Sequence, residues 1–165
     1  CIRDRGNCQH GSTGRVIAEE RLPDNALLQK YAKAGIYTDC FSTEVHTNVS
    51  LAEFVEAFYT TWLFKLERFI LRLAVSRPST DEQVKALTNG TRETFAAWYV
   101  EGREENQLLM CDFRDHTRSW FMVAPGKLYF GSAVVPIDQP SYKMLIGFHR
   151  LYSRALLSAA RSRLQ

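Results

Sequence analysis

Thr94–Pro136 decides the fold: TFAAWYVEG-REEN-QLLMCDF-RDHT-RSWFMVA-PGK-LYFGSAVVP, broken here at its turns. Four apolar, β-branched and aromatic runs alternate with short polar connections: Thr94–Gly102, Gln107–Phe113, Arg118–Ala124 and Leu128–Pro136. Short turns between neighbouring strands predict an antiparallel meander. A sheet with one wet face would alternate cleanly between apolar and polar residues. Leu108-Leu109-Met110-Cys111 and Trp120-Phe121-Met122-Val123 do not alternate. Both faces of this sheet therefore require a cover.

Outward from the meander, Pro140-Ser141 opens a last helix that runs to about Arg163. Its apolar side is read as Leu145, Phe148, His149, Tyr152, Ala155, Leu156 and Ala159, with Lys143, Gly147, Arg150, Arg154, Ser158 and Arg161 opposite. This helix is one cover. The segment before the sheet, or a second subunit, is the other. Since large exposed apolar patches are rare on soluble monomers, a homodimer is expected.

On the N-terminal side, Ile36–His46 has strand character and brings the expected strand count to five. Pro23-Asp24-Asn25, Ala26–Lys33 and Gly35 mark a short helix with its start and stop. Ser50 and Glu53 form a capping box, and Leu51, Phe54, Val55, Phe58, Trp62, Leu66, Phe69, Ile70 and Leu73 recur at helical spacing behind it. The β-branched pair Thr60-Thr61 predicts either one bent helix or two that meet near Thr61. Ser79 or Thr80 caps a further short helix that stops at Asn89-Gly90. Residues 1–14 read as a tail. The whole is one α+β domain of 165 residues, with a curved antiparallel sheet of about five strands packed on a long C-terminal helix.

That order resembles the START-like helix-grip (SRPBCC) superfamily, and within it a small bacterial family of unknown function. The suggestive stretches are Tyr37-Thr38-Asp39-Cys40-Phe41, Ala57-Phe58-Tyr59-Thr60-Thr61, Ser119-Trp120-Phe121 and Phe130-Gly131-Ser132-Ala133. The likeness covers about Ala26 to Ala160 and is one of order and texture. It implies a sheet gripping the last helix, with a cavity beneath that helix.

The formal charge is +3. The acid-free basic run after Tyr142 reads as a solvated helix face, so no nucleic-acid partner is expected. No apolar run approaches the roughly 20 residues of a membrane span. No signal peptide is visible, and a cytoplasmic location is expected. Cys40 and Cys111 read as core residues. Cys1, Cys8 and His10 lack a recognised metal spacing, and neither metal nor cofactor is expected. Phosphate loops and nucleotide fingerprints are absent from the sequence.

Two function classes follow. The first is a domain that binds a small hydrophobic or aromatic ligand, without catalysis, in a cavity lined by Phe58, Trp62, Trp98, Trp120, His149 and Tyr152. The alternative is a cofactor-independent lyase, isomerase or hydrolase. There His149 is the acid–base group, with Tyr152, Glu67 or Asp112 as partner. Asp112, Asp115, His116 and Ser119 surround a predicted hairpin turn, and turn chemistry accounts for them. His149 is expected to be buried, to face the sheet and to have a polar partner.

Overall fold

Polar turns and apolar runs close three successive hairpins. In the computed structural model, which describes residues 17–65, 80–135 and 142–164, β4 (Trp98–Glu104), β5 (Gln107–Asp112), β6 (Thr117–Ala124) and β7 (Lys127–Val134) form the meander. Each tight turn has its own device. Gly126 adopts φ 69° after Pro125, and Asp115 takes φ 59°, a left-handed conformation that aspartate tolerates better than most residues.

β2 (Tyr37–Glu44) lies before the helices in the chain and pairs antiparallel with β7. With β1 (Ala18–Glu19) and β3 (Thr94–Phe95) the sheet has seven strands, in the order β1-β2-β7-β6-β5-β4-β3. The expected α+β class is present, and the strand count exceeds the expected five for two reasons. Residues 94–102 split at Ala96, whose φ of 51° turns β3 back onto β4. β1 pairs through only two residues, too few to carry a period.

The helices follow their caps. α1 (Gln29–Lys33) stops before Gly35 at φ 74°. The Ser50–Glu53 capping box starts α2 (Leu51–Tyr59), and a Thr80–Gln83 box starts α3 (Asp81–Thr88). The helix breaks at Thr60-Thr61 and resumes over residues 62–65. Thr61 Oγ1 makes the junction by donating to Phe58 O at 2.9 Å and accepting the Phe64 N–H at 3.2 Å.

α4 (Tyr142–Leu164) packs on α2, β2 and β7. Its buried stripe is Ser153, Leu156, Leu157 and Ala160, with Tyr152 half-buried and Leu151 and Ala155 exposed. The helix is thus turned by about one residue from the stripe expected for Tyr152, Ala155, Leu156 and Ala159. Small Ser153 and Ala160 allow the close approach. The basic residues opposite are engaged: Arg150 holds both oxygens of Glu19 at 2.7 and 2.6 Å, and Arg161 Nε donates to Glu44 O at 3.1 Å.

Two cores sandwich the sheet. On the helix-facing side, Phe41, Phe54, Phe58, Tyr59, Phe121, Phe130 and Leu156 belong to one cluster. Phe58 sits 4.9 Å from Phe121 and 4.6 Å from Phe130, centroid to centroid. On the outer side, Leu22, Ala26 and Leu28 cover Cys40, Leu109, Trp120, Met122 and Ala133. Gly131 is required here, because a Cβ would lie 2.7 Å from the carbonyl oxygen of Asp39 and 3.0 Å from the Trp120 ring. The chain supplies its own second cover, so the apolar outer face gives no reason for a dimer.

Gln107, fully buried, pins that cover. Its Oε1 accepts from Leu27 N at 3.0 Å and from Trp120 Nε1 at 2.8 Å, while Nε2 donates to Asn25 O at 3.0 Å. Among the described residues, no helix is long and apolar enough to cross a membrane.

Candidate functional site

The strand register sorts the helix-facing side chains into rows. Phe41, Phe130, Phe121 and Leu108 are successive cross-strand neighbours on β2, β7, β6 and β5. This apolar row lies under the helices. The next row is Asp39, Ser132, Ser119, Met110 and Val100, again in direct register across five strands. Beyond it lie Tyr37, Val134 and Thr117, with Asp112 opposite Trp98. Side chains that alternate in direction along each strand thus place an aromatic row beside a more polar one.

The polar row is not uniformly covered. Asp39 and Ser132 are buried, at 7% and 0% exposure, as is Met110. Ser119 and Val100 are only half-buried, although β6 lies in the middle of the sheet. α4 rests on β2 and β7, and α2 reaches β6. Ser119 and Val100 are thus the partly accessible positions of this row, while Asp39, Ser132 and Met110 are covered.

The hydrogen bonds give this end its chemistry. Asp39 Oδ1 accepts Ser132 N–H at 2.9 Å and Ser132 Oγ at 2.5 Å. Tyr37 donates its hydroxyl to Asp39 Oδ2 at 3.4 Å. Burial, followed by the Asp39 charge, pushes the Tyr37 phenol well above its ordinary value, so it remains a neutral donor.

The expected lining residues do not converge. Phe58 lies in the packed aromatic core, at 1% exposure. Trp120 is on the opposite face of the sheet, because alternation from Phe121 sends it outward to Gln107. Trp62, at 73% exposure, is on the surface, since the break at Thr61 rotates it out of the α2 stripe. Trp98 and Tyr152 are half-buried and pack at the margin of the helix-facing core. The His149 backbone lies in α4, but its side chain is outside the described residues, as is Glu67.

Asp112 is a turn residue. Its Oδ1 accepts Arg114 N–H at 2.6 Å, and its Oδ2 accepts both Thr117 N–H at 2.7 Å and Thr117 Oγ1 at 2.6 Å. Those bonds hold the β5–β6 hairpin and leave it poorly disposed for acid–base work.

A second polar group occupies the outer face. Glu101 receives Lys30, Tyr31 and Arg118, and Arg118 Nε also donates to Tyr31 Oη at 2.7 Å. Burial opposes the Glu101 charge, yet the Lys30, Tyr31 and Arg118 contacts hold its carboxyl below the usual range. Tyr31 is pushed up to about 12 by burial and by Glu101. Burial also pushes the Cys40 and Cys111 thiols up to about 12, which makes them poor nucleophiles. This group fastens α1 to the sheet.

A cleft of about 310 Å³ opens at the far end of the sheet, between Val45, Asn48, Asn106, Val123 and Pro125. It carries no charged side chain, and Asn106 Nδ2 already donates to Val123 O at 3.1 Å. Among the described residues, no three of His, Cys, Asp and Glu gather to hold a metal. Cys1, Cys8 and His10 lie outside them.

No family model matches the chain, and no curated protein or solved structure matches it either. The chemistry of the site has to be read from its own residues.

Sequence reasoning missed Asp39. Its signal was available: an acid inside an apolar strand, on the same alternating face as Phe41. What the sequence lacked was the partner strand, which lies 93 residues away at Ser132.

Proposed function

We propose that the protein binds a small hydrophobic or aromatic ligand between the helix-facing side of the sheet and α4, without catalysis. The observation that carries this reading is the half-buried Ser119 in the middle of a seven-stranded sheet, on the face the helices cover. A packed core would bury that position. Half-buried Val100 and Trp98 beside Ser119 line the recess proposed here, above the fully buried Phe121 and Met110. Half-buried Ser119 and Tyr37, the latter bonded to the buried Asp39, supply the few polar groups that fix orientation in such sites.

The test is titration with the neutral fluorophore N-phenylnaphthylamine. Saturable enhancement is expected with the wild type and with Trp62→Ala. It should disappear in Ser119→Trp, whose indole fills the recess, while circular dichroism stays native. Equal binding to Ser119→Trp, or no saturable binding to any form, contradicts the reading.

A further inference from the structure

α1 is the least rooted part of the outer cover. It has five residues, none of them buried, and Leu28 before it supplies no side-chain cap. A helix of that length does not hold itself together in water. The chain on its two sides is fixed unequally. Leu28 is fully buried, and Gln107 pins Asn25 and Leu27. Gly35, after the helix, is exposed at φ 74°, and a Cβ there would meet nothing within 4 Å.

The polar contacts that hold α1 to the sheet meet at one carboxylate. The bulge between Val100 and Gly102 turns Glu101 to the outer face. There it receives Lys30 Nζ and, at 2.5 Å, Tyr31 Oη from α1, and Arg118 Nε at 3.0 Å from β6. Arg118 also reaches the Asp115 carboxylate and donates to Tyr31 Oη at 2.7 Å. Tyr99 and Cys111 face the group from β4 and β5, and both donate to Asp115 Oδ1.

We infer that α1 is a lid on the margin of the outer core, held shut by the Glu101 carboxylate and released when that group is neutralised. A neutral Glu101 leaves two cations, Lys30 and the buried Arg118, without the anion between them. Like charges repel, so losing the clasp also pushes α1 outward. Release uncovers the apolar surface against which Tyr31, Ala32 and Ile36 lie. Residues 22–28 stay in place, because their polar anchor is the uncharged Gln107. Burial opposes the Glu101 charge, but Lys30, Tyr31 and Arg118 outweigh it and hold the carboxyl below 4.5. Its stabilising effect is therefore complete above pH 4.5 and is lost as the pH falls further.

The experiment is hydrogen exchange read by mass spectrometry on the wild type and on Glu101→Gln, with each rate divided by its intrinsic value at that pH. The reporters are the amides of Ala34, Gly35 and Ile36, which donate to carbonyls of Lys30, Tyr31 and Ala32. At neutral pH residues 29–36 should exchange roughly tenfold or more faster in Glu101→Gln, the factor for losing a hydrogen bond to a charged group. In the wild type the same acceleration should appear as the pH falls below 4.5, while β5, β6 and β7 keep their protection.

Equal protection of residues 29–36 in the two proteins at neutral pH would overturn the lid. So would loss of protection in β5, β6 and β7 at the same pH as in residues 29–36, since the domain would then be unfolding as one unit. Should Glu101→Gln not fold, the wild-type pH series decides alone.

Discussion

Replacing Gln107 by Leu tests how the outer face is closed. The substitution keeps the side-chain bulk and removes every polar contact. Trp120 Nε1–H loses its acceptor inside a fully buried environment, which costs about 1–3 kcal/mol. Leu27 N–H and Asn25 O lose their partners nearer the surface, where water compensates in part. The sum is about 2–4 kcal/mol, set against the roughly 5–15 kcal/mol that stabilises an ordinary domain. In a domain of this size that lowers Tm by about 5–15 °C.

Urea denaturation followed by circular dichroism and tryptophan fluorescence reads the loss directly. A further consequence is specific to the architecture. Loosening residues 22–32 uncovers Leu109, Trp120 and Met122, so the variant should self-associate as concentration rises. A loss below about 0.5 kcal/mol, the level of an ordinary surface substitution, would refute the claim that Gln107 pins the cover.

Two other outcomes follow from the polar contacts. Tyr31 has its folded pKa raised from 10.0 to about 12, so its contribution to stability is fully present below pH 10 and is lost as pH rises towards 12. Tyr31→Phe should be less stable at neutral pH and should lose stability less steeply over that alkaline window in denaturant titrations; identical slopes would contradict the assignment. Asp112→Ala should cost about 1–2 kcal/mol, as loss of a cap does, and should leave ligand affinity unchanged in calorimetry. Lost affinity at native stability would return Asp112 to the site.

The legible parts of this fold were those with local causes. The capping box at Ser50, the cap at Ser79 or Thr80, the glycine stops and the turn residues announced their elements because each acts within a few residues. The two covered faces were legible as well, since runs such as Trp120–Val123 leave no wet side. The sequence could not assign individual side chains to one face or the other without the register. Trp120 and Phe58 look equally aromatic in one dimension, yet Phe121 faces the helices and Trp120 faces Gln107. Tyr152 was placed in the centre of an α4 stripe that the structure centres on Ser153 and Leu157. A serine carries no hydrophobic signal, so periodicity alone shifted the phase. Asp39 was passed over for the same reason: its meaning depends on Ser132, brought alongside by a pairing that skips the whole meander.

The three tryptophans stand at three different places: Trp98 at the rim of the recess, Trp62 on the surface and Trp120 on the opposite face. Their indole N–H signals in a nitrogen–proton correlation spectrum therefore report separately on where a ligand sits. Titrating N-phenylnaphthylamine into the protein should move the Trp98 signal and leave those of Trp62 and Trp120 in place. Movement of Trp120 without Trp98, or of none of the three under saturating ligand, would contradict a binding site on the helix-facing side of the sheet.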